Sequence, residues 1–507
     1  MFLLASLPLL CACLSLVLAV PGCRFAPAQA PPAVPPAAPF SALAPAVAKP
    51  PVPVAAFIRA LLDTAAAGSA RAADAHRDLQ SGPDLRAFFG PAGQAAWTLP
   101  ADSANPDALA ALALLARAAE FGLRPADYGL AALGALRDSL AHPAAAASPG
   151  QRAGPQARFE VGLSDALLRC MHDLRYGRLR PGAQPARGLT GGSSGAPDEP
   201  PAGVLRAALG AHRVPAALRG RQPAHREYRR LQQALARWLT QPGGSDSAAQ
   251  HAARYQQVAL NLERWRWDPI PAPEYILINI PAYELVVVAH DSVRQRHRVI
   301  VGKPETPTPT LSSSINHFTL APDWHVPRSS ATREILPRLK KDAGYLARNN
   351  LALYDDQGRM LNPWRIAWAR VTPQGFPYTI RQSAGCENAL GNVVFRFPNP
   401  YSVYLHDTPT RQFFERPDRA LSHGCIRLAE PPRLAAYLLR REGRPVQLPS
   451  DYECARQVRP RNVRLARPMP LYIRYATCTV ENGRFRCLPD IYRRDEPLRL
   501  ALFGPRL

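Results

Sequence analysis

A cysteine near the C-terminal end of the chain lies in the sequence Ser422-His423-Gly424-Cys425, downstream of His406. Cysteine attacks as a thiolate, and a histidine within hydrogen-bond reach takes the thiol proton. We therefore predict Cys425 as the nucleophile and His406, on a neighbouring strand, as the general base. His423 is the competing base, but its position two residues before Cys425 restricts its reach.

Gly424 has no side chain, so it permits a tight turn and a close approach of substrate. Backbone N–H groups near Gly424 and Cys425 would then bind the oxyanion of a tetrahedral intermediate. We expect Ser422 and His423 to support this loop. A buried structural cysteine is the alternative, and these polar and permissive neighbours argue against it.

Ser422 and three further side chains, those of Tyr404, Arg427 and Asp407, are predicted to bind or orient substrate. Tyr404 precedes His406 by two positions, so both lie on one face of a strand, and its hydroxyl would position substrate or support the oxyanion. Arg427, two positions after Cys425, carries a guanidinium that suits a substrate carboxylate. Asp407 would orient the imidazole through its backbone carbonyl or its side chain.

The same histidines and cysteine raise the question of zinc. Structural zinc needs four ligands, usually with paired cysteine spacing. The sequence has no C-x-x-C and no H-x-x-x-H pair, so we expect neither a metal nor a cofactor.

The segments H-D-T-P at His406 and S-H-G-C-I-R at Ser422 resemble the signature of the L,D-transpeptidase catalytic domain of the YkuD type. The resemblance is close from Val258 to the C-terminus and looser in the N-terminal half. Further similar segments are Val258–Trp267, Val301–Pro309, Asn388–Gly391, Phe397–Asn399 and Asp490–Tyr492.

This resemblance implies a cysteine acyltransferase acting on peptidoglycan. It would take the acyl group at the L-centre of diaminopimelate from a tetrapeptide stem, release D-alanine and form a thioester on Cys425. The side-chain amine of a second diaminopimelate would then give a 3→3 cross-link. The resemblance also implies carbapenem-type β-lactams as inhibitors and wall-synthesis proteins as partners.

Two alternatives stay open at the level of sequence. The acyl acceptor is not encoded in the motif, so water, a lipoprotein lysine or a free D-amino acid are rivals to diaminopimelate. The second alternative is a non-catalytic wall-binding scaffold, against which the intact His406 and Cys425 argue.

The chain has 507 residues, a formal net charge of +23 and 47% hydrophobic residues, which allows two to four domains with real cores. The charge suits anionic partners, although an arginine-rich composition explains it equally well. No nucleic-acid-binding motif accompanies it, so we expect no nucleic-acid partner.

The first 22 residues are apolar and predict an export signal, which places the protein in the periplasm. Cys23 follows a weak lipoprotein-like site, so lipidation and membrane association are alternatives to free export. Residues 23–54 are rich in Pro and Ala and predict an extended linker.

Residues 55–250 predict an α-helical scaffold domain. Asn105-Pro106 begins one helix, whose apolar face is assigned to Leu109, Leu112, Ala113 and Ala116. A second apolar stripe comprises Leu163, Leu167, Met171 and Leu174, and a third helix is predicted at 228–239. Glycine- and proline-rich loops are predicted at 141–154 and 181–203.

Residues 256–507 predict a mostly-β catalytic domain with a helical capping subdomain at about 324–375, so the fold class is α+β. Strands are expected at 276–280, 283–288, 296–301, 393–397 and 402–405. Relatives of this size carry an inserted peptidoglycan-binding domain before the segment that matches Val258. The interval between Trp238 and Tyr255 is too short for one.

Asn482-Gly483 is a strong signal for a two-residue β-hairpin turn. In that register Cys478 faces Cys487 as a non-hydrogen-bonded pair, with Cα atoms about 4.5 Å apart. We therefore predict a disulfide between them, with two reduced, packed cysteines as the alternative.

Overall fold

The computed structural model describes residues 53–67, 79, 81–99, 103–142, 149–179, 199–241, 247–385, 387–444 and 459–504. The predicted export signal, Cys23 and nearly all of the predicted linker lie outside these ranges. Within them, no helix is both long enough and apolar enough to cross a membrane.

The described chain is α+β, as predicted, with helices in its N-terminal half and a large sheet in its C-terminal half. The helices are α1 (Val54–Ala67), α2 (Gly82–Phe89), α3 (Pro106–Ala116), α4 (Leu130–Ala141), α5 (Pro149–Tyr176), α6 (Pro201–Gly210), α7 (Val214–Gly220), α8 (Arg226–Thr240), α9 (Ala248–Trp267), α10 (Arg328–Ser330), α11 (Leu336–Leu339), α12 (Tyr345–Arg348), α13 (Pro431–Arg440) and α14 (Asp495–Phe503).

The strands begin after α9. They are β1 (Glu274–Asn279), β2 (Glu284–Ala289), β3 (Ser292–Gly302), β4 (Leu311–Leu320), β5 (Trp324–His325), β6 (Leu351–Tyr354), β7 (Met360–Leu361), β8 (Thr379–Gln382), β9 (Val393–Arg396), β10 (Leu405–His406), β11 (Ala420–Ser422), β12 (Ile426–Leu428), β13 (Arg461–Arg474), β14 (Cys478–Glu481) and β15 (Arg484–Cys487).

The N-terminal helices pack around α5. The predicted stripe on α5 is confirmed, since Leu163, Leu167, Met171 and Leu174 are all fully buried. The predicted face of α3 is wrong. Leu109, Ala113 and Ala116 are exposed, whereas Ala108, Ala111, Leu112 and Leu115 are buried. Because α3 is apolar almost all round, its sequence does not single out one face.

The predicted loops are shorter than expected. Helix α5 begins at Pro149 and includes Pro155, so the loop at 141–154 ends early. Helix α6 begins at Pro201, two residues inside the loop predicted at 181–203. Proline is compatible with the first turn of a helix, which explains the start of α6.

The nine-stranded sheet has the order β11-β3-β12-β10-β9-β4-β13-β1-β2, and β2 also pairs with β3. This extra pairing closes the sheet around a hydrophobic core. The core residues come from the whole length of the C-terminal half, from Ile276 to Tyr475. Strands β4 and β13, which the sequence analysis did not predict, form the longest ladder in it. The short strands β10 and β12 lie side by side within the sheet and run parallel.

The predicted capping subdomain is more than a helical patch. It contains a four-stranded sheet in the order β5-β8-β6-β7, so it extends from Trp324 to Gln382 rather than ending at residue 375. Its own core includes Ile335, Leu339 and Phe376. We call residues 324–382 the cap.

Helix α9 joins the two halves, and the predicted domain boundary falls inside it. Residues of α8 and α9 share a core with β1, β2 and β13. Asn261 is fully buried and exchanges hydrogen bonds with Thr477: its Oδ1 accepts from the Thr477 amide at 2.8 Å and its Nδ2 donates to Oγ1 at 3.0 Å. Only residues 241–247 separate α8 from α9, which leaves no room for an inserted domain.

The hairpin β14–β15 has the predicted register, with Cys478 opposite Cys487. Both residues are free thiols in this structure, Cys478 buried and Cys487 exposed, so the disulfide between them stays a prediction. Register brings two sulfurs together, but a disulfide also needs an oxidant to remove two electrons. A hydrogen bond from the Cys478 thiol lowers the pKa of Cys487 to about 7, which favours attack by its thiolate in thiol–disulfide exchange.

Oxidation of the purified protein should join Cys478 to Cys487. Closing this short loop is expected to stabilise the fold by about 3 kcal/mol, measured as a reductant-sensitive unfolding midpoint. Peptide mapping without reductant locates the bond, and Cys487→Ser should abolish the sensitivity to reductant. Recovery of both alkylated thiols after oxidation would contradict the prediction.

Candidate active site

The parallel pairing of β10 with β12 brings the predicted catalytic residues together. Leu405 is opposite Ile426, and His406 is opposite Arg427. The Ile426 amide donates to the Tyr404 carbonyl at 3.0 Å, which places Cys425 beside Tyr404 at the end of the ladder. His406 therefore lies on a strand next to the one that follows Cys425, as predicted.

His406 is buried, with 6% of its surface exposed. Its Nδ1 donates to the Asp407 carbonyl oxygen at 2.6 Å, and since a carbonyl only accepts, Nε2 keeps its lone pair. Burial and the nearby Arg427 charge lower the pKa of His406 to about 3. The imidazole is thus neutral and oriented as a proton acceptor.

Cys425 is half-buried, and burial raises the pKa of its thiol. Hydrogen bonding from Tyr404 and the positive charges of Arg396 and Arg427 act in the opposite direction without reversing the shift. The resting pair is therefore a thiol and a neutral imidazole. For the predicted roles of Cys425 and His406, the thiolate would therefore have to form as the sulfur attacks.

Tyr404 shares a strand face with His406, as predicted, and their ring centroids are 5.5 Å apart. Burial and its contact with Cys425 raise the pKa of the Tyr404 hydroxyl. The hydroxyl therefore stays protonated and remains a hydrogen-bond donor beside the sulfur. The Trp324 side chain reaches the same hydroxyl from the cap.

Ser422 supports the turn that carries the nucleophile. Its Oγ donates to the Cys425 carbonyl at 2.6 Å and accepts from the Gly424 amide at 3.1 Å. Gly424 has φ of 114°, a conformation that other residues rarely adopt. The Gly424 amide is engaged by Ser422, so of the two backbone donors predicted for the oxyanion, the Cys425 amide is the one without an acceptor among the described residues.

A second set of contacts supports the turn from behind. Thr308, fully buried, donates through Oγ1 to the Gly424 carbonyl at 2.8 Å and accepts from the Gly302 amide at 2.8 Å. The Tyr492 hydroxyl donates to the Gly302 carbonyl at 2.6 Å. A Cβ at Gly302 would lie 2.1 Å from the Thr306 carbonyl oxygen, so this close approach requires glycine.

These supporting residues were missed as site residues, although their segments were noticed. Thr308 lies in Val301–Pro309 and Tyr492 in Asp490–Tyr492, both of which carry the family resemblance. No local pattern indicates that two segments so far apart in the chain meet behind Gly424.

The nucleophile opens into a cleft of about 800 Å³ between the sheet and the cap. Arg427 lines it, is half-buried and has no carboxylate partner among the described residues, which fits its predicted role as a substrate-carboxylate ligand. The residues that line the cleft beside it are Tyr404, His406, Ser422, His423 and Cys425 on the sheet side, and Trp324, Glu334, Arg338, Tyr345 and Arg348 on the cap side.

Two predicted site residues lie differently from the expectation. Asp407, predicted to bind substrate, is buried behind His406, where its Oδ2 accepts from the Asn392 amide at 2.8 Å; it does not line the cleft. It contributes to the site through its backbone carbonyl, which orients His406 as one of the two predicted alternatives had it. His423 faces the cap, where its Nε2 is 3.6 Å from Glu334 Oε1, rather than supporting the turn.

Residues 273–448 match the YkuD family, described as the L,D-transpeptidase catalytic domain. The chain contains an L,D-transpeptidase catalytic domain. Residues 83–235 match a second family, described as the Scaffold domain, and they cover most of the N-terminal helices. The two matched families correspond to the two domains expected from the sequence.

Known proteins similar to the chain carry the same description. A Haemophilus influenzae protein named "Putative L,D-transpeptidase" is 35% identical over 246 residues, which cover 48% of this chain and 49% of that protein. The match thus spans about half the length of this relative.

Two solved structures also align with the chain, at too low a TM-score to support an argument. "L,D-transpeptidase from Mycobacterium smegmatis" has 16% identity and a TM-score of 0.21, over 40% of this chain and 59% of that one. "Structure of the Ldtfm-avibactam carbamoyl enzyme" has 14% identity and a TM-score of 0.20, over 41% of this chain and 51% of that one.

Thr308→Val should weaken the turn while preserving side-chain volume. The buried Gly424 carbonyl and Gly302 amide both lose a partner, which should cost about 2 kcal/mol of stability and slow thiol acylation. Thermal unfolding and an acylation time course measure the two effects. Thr310→Val, at an exposed position of the same loop, is the matched control. Unchanged acylation in Thr308→Val would contradict this role.

His406 should make stability depend on pH. Its pKa is about 3 when folded and about 6.5 when unfolded, so the unfolded chain binds the extra proton between these values. The stability advantage of wild type over His406→Gln should therefore shrink as pH falls below about 6.5, by about 2 kcal/mol at pH 5. Denaturant unfolding of both proteins at pH 5 and 8 measures it. A constant difference would show that the histidine is not held neutral.

Proposed function

We propose that this L,D-transpeptidase is an exported cysteine acyltransferase that forms 3→3 cross-links between peptidoglycan stem peptides. The observation that supports the proposal most strongly is the grouping of Cys425, neutral His406 and Tyr404 at one end of a cleft. A thiol, a base and a hydroxyl donor in this arrangement are suited to acyl transfer through a thioester.

In the first half-reaction, the Cys425 sulfur attacks the carbonyl at the L-centre of diaminopimelate as His406 Nε2 accepts the thiol proton. The Cys425 amide and the Tyr404 hydroxyl would stabilise the oxyanion. His406 then returns the proton to the nitrogen of the leaving D-alanine. Arg427 supplies a guanidinium for a carboxylate of the donor stem.

In the second half-reaction, the side-chain amine of a second diaminopimelate attacks the thioester and Cys425 leaves as the thiol. Export to the periplasm fits this substrate and is part of the proposal, as is the alternative of lipidation at Cys23. Wall-synthesis proteins are the proposed protein partners.

Incubation of the protein with purified tetrapeptide muropeptides, followed by mass spectrometry, tests the reaction. We expect dimers and free D-alanine from wild type, and neither from Cys425→Ala, because removal of a covalent nucleophile costs several orders of magnitude in rate. Tripeptides without dimers would indicate hydrolysis instead. No change in the muropeptides would indicate a non-catalytic wall-binding scaffold.

Carbapenem-type β-lactams should acylate Cys425. The strained lactam carbonyl would occupy the position of the scissile peptide carbonyl and remain attached as a thioester. Intact-protein mass should increase by one drug molecule in wild type and stay unchanged in Cys425→Ser. An adduct mapped to Cys170, Cys478 or Cys487 would overturn the assignment of the nucleophile.

A further inference from the structure

Glu334 lies on the cap side of the cleft, in a π-helical segment, Ala331–Ile335, between α10 and α11. Buried Ala331, Ile335 and Leu339 anchor this segment in the core of the cap, and Glu334 lines the cleft together with Arg338. Short π-helical segments are rare and occur frequently at functional sites. The cap core thus holds a carboxylate facing the loop that carries the nucleophile.

Glu334 has no permanent cation as a partner. Its Oε1 is 3.6 Å from His423 Nε2, and a histidine is a cation only when protonated. Arg338, one turn further on, is directed instead to Tyr345, with its Nη1 donating to the hydroxyl at 3.1 Å and its guanidinium 5.1 Å from the ring centroid. Among the described residues, His423 is the one ion-pair partner of Glu334.

The contact between Glu334 and His423 is weak enough to be replaced by a ligand. Both side chains are about half exposed, at 49% and 59%. An exposed ion pair at this separation contributes little to stability. A primary ammonium group, by contrast, offers three donors and a full positive charge, so it would compete effectively for the carboxylate.

The two sides of the cleft carry side chains of opposite charge, which suit different groups of the two substrates. On the sheet side, Arg427 presents a guanidinium beside Cys425. Two carboxylates line the cleft, those of Glu334 and Glu387, and Glu334 is the one in contact with His423 of the loop that carries the nucleophile. The acylated enzyme needs an amine as acceptor, and a side-chain amine is an ammonium ion near neutral pH. The cap carboxylate of Glu334 matches this charge.

We infer that Glu334, with His423 beside it, binds the primary ammonium group of the acyl acceptor; this inference rests on the proposed function. The bound R–NH₃⁺ releases one proton to solvent to become R–NH₂. The nitrogen lone pair attacks the thioester carbonyl, the C–S bond breaks, and a proton passes from nitrogen through His406 to the Cys425 sulfur. The products are an amide and a free thiol, and Glu334 determines acceptor specificity.

Glu334→Gln separates acceptor binding from acylation, because it removes the charge and keeps the side-chain shape. With enzyme in excess over tetrapeptide donor, the single-turnover rate of D-alanine release measures acylation, and dimer formation at increasing concentrations of a tripeptide stem, which can only act as acceptor, measures transfer. We expect unchanged acylation, a KM for the acceptor raised roughly tenfold and a near-normal kcat. Asp356→Asn, which removes a cap carboxylate outside the cleft, is the control.

The other outcomes overturn either this inference alone or the proposed cross-linking together with it. Slower acylation by Glu334→Gln would assign the carboxylate to the ammonium group of the donor stem, and an unchanged acceptor KM would show that it binds neither; both overturn the inference and leave the proposed function standing. Wild-type protein that acylates but makes no dimers would overturn the proposed cross-linking and this inference with it. Circular dichroism of the variant excludes loss of fold as the cause.

Discussion

The parallel pairing of β10 with β12 is the constraint on which the active site depends. It joins only a few residues, yet it fixes which side chains meet: Cys425 beside Tyr404, and Arg427 beside His406. A shift of one residue would turn His406 to the opposite face of the sheet. Since β10 and β12 are too short to hold this register alone, their neighbours in the sheet must impose it.

The chemistry follows from burial as much as from proximity. Placing His406 in the sheet interior keeps the imidazole neutral, and half-burying Cys425 keeps its sulfur protonated. A neutral pair loses less on desolvation than a preformed ion pair of the same groups would. In the proposed mechanism, the proton moves when a substrate carbonyl reaches the sulfur, and the Cys425 amide and the Tyr404 hydroxyl compensate the developing negative charge.

Local patterns predicted a large part of this arrangement. The two-residue spacing of Tyr404 and His406 placed them on one face, and Asn482-Gly483 gave the register of the hairpin. The cap sheet and the ladder between β4 and β13 were not predictable, because their strands pair across long intervals of chain. The protonation states of His406 and Cys425 also depend on tertiary burial, which no local motif encodes. The prediction of the buried face of α3 failed for a local reason, because nearly every position of that helix is apolar.

The contacts behind the nucleophile join segments of the family resemblance that are widely separated in sequence. Asn261 of α9 is bonded to Thr477, two residues after Tyr475. The Tyr475 hydroxyl accepts from the Tyr492 amide at 2.8 Å, and the two rings stack with centroids 5.6 Å apart.

The hydroxyl of Tyr492 continues this set of contacts towards the turn. It accepts from the Thr308 amide at 3.2 Å and donates to Gly302, and Thr308 in turn holds Gly424. Helix α9 also shares its hydrophobic core with α8 of the helical domain. These contacts therefore connect the helical domain to the turn that carries Cys425, although none of its described residues lines the cleft.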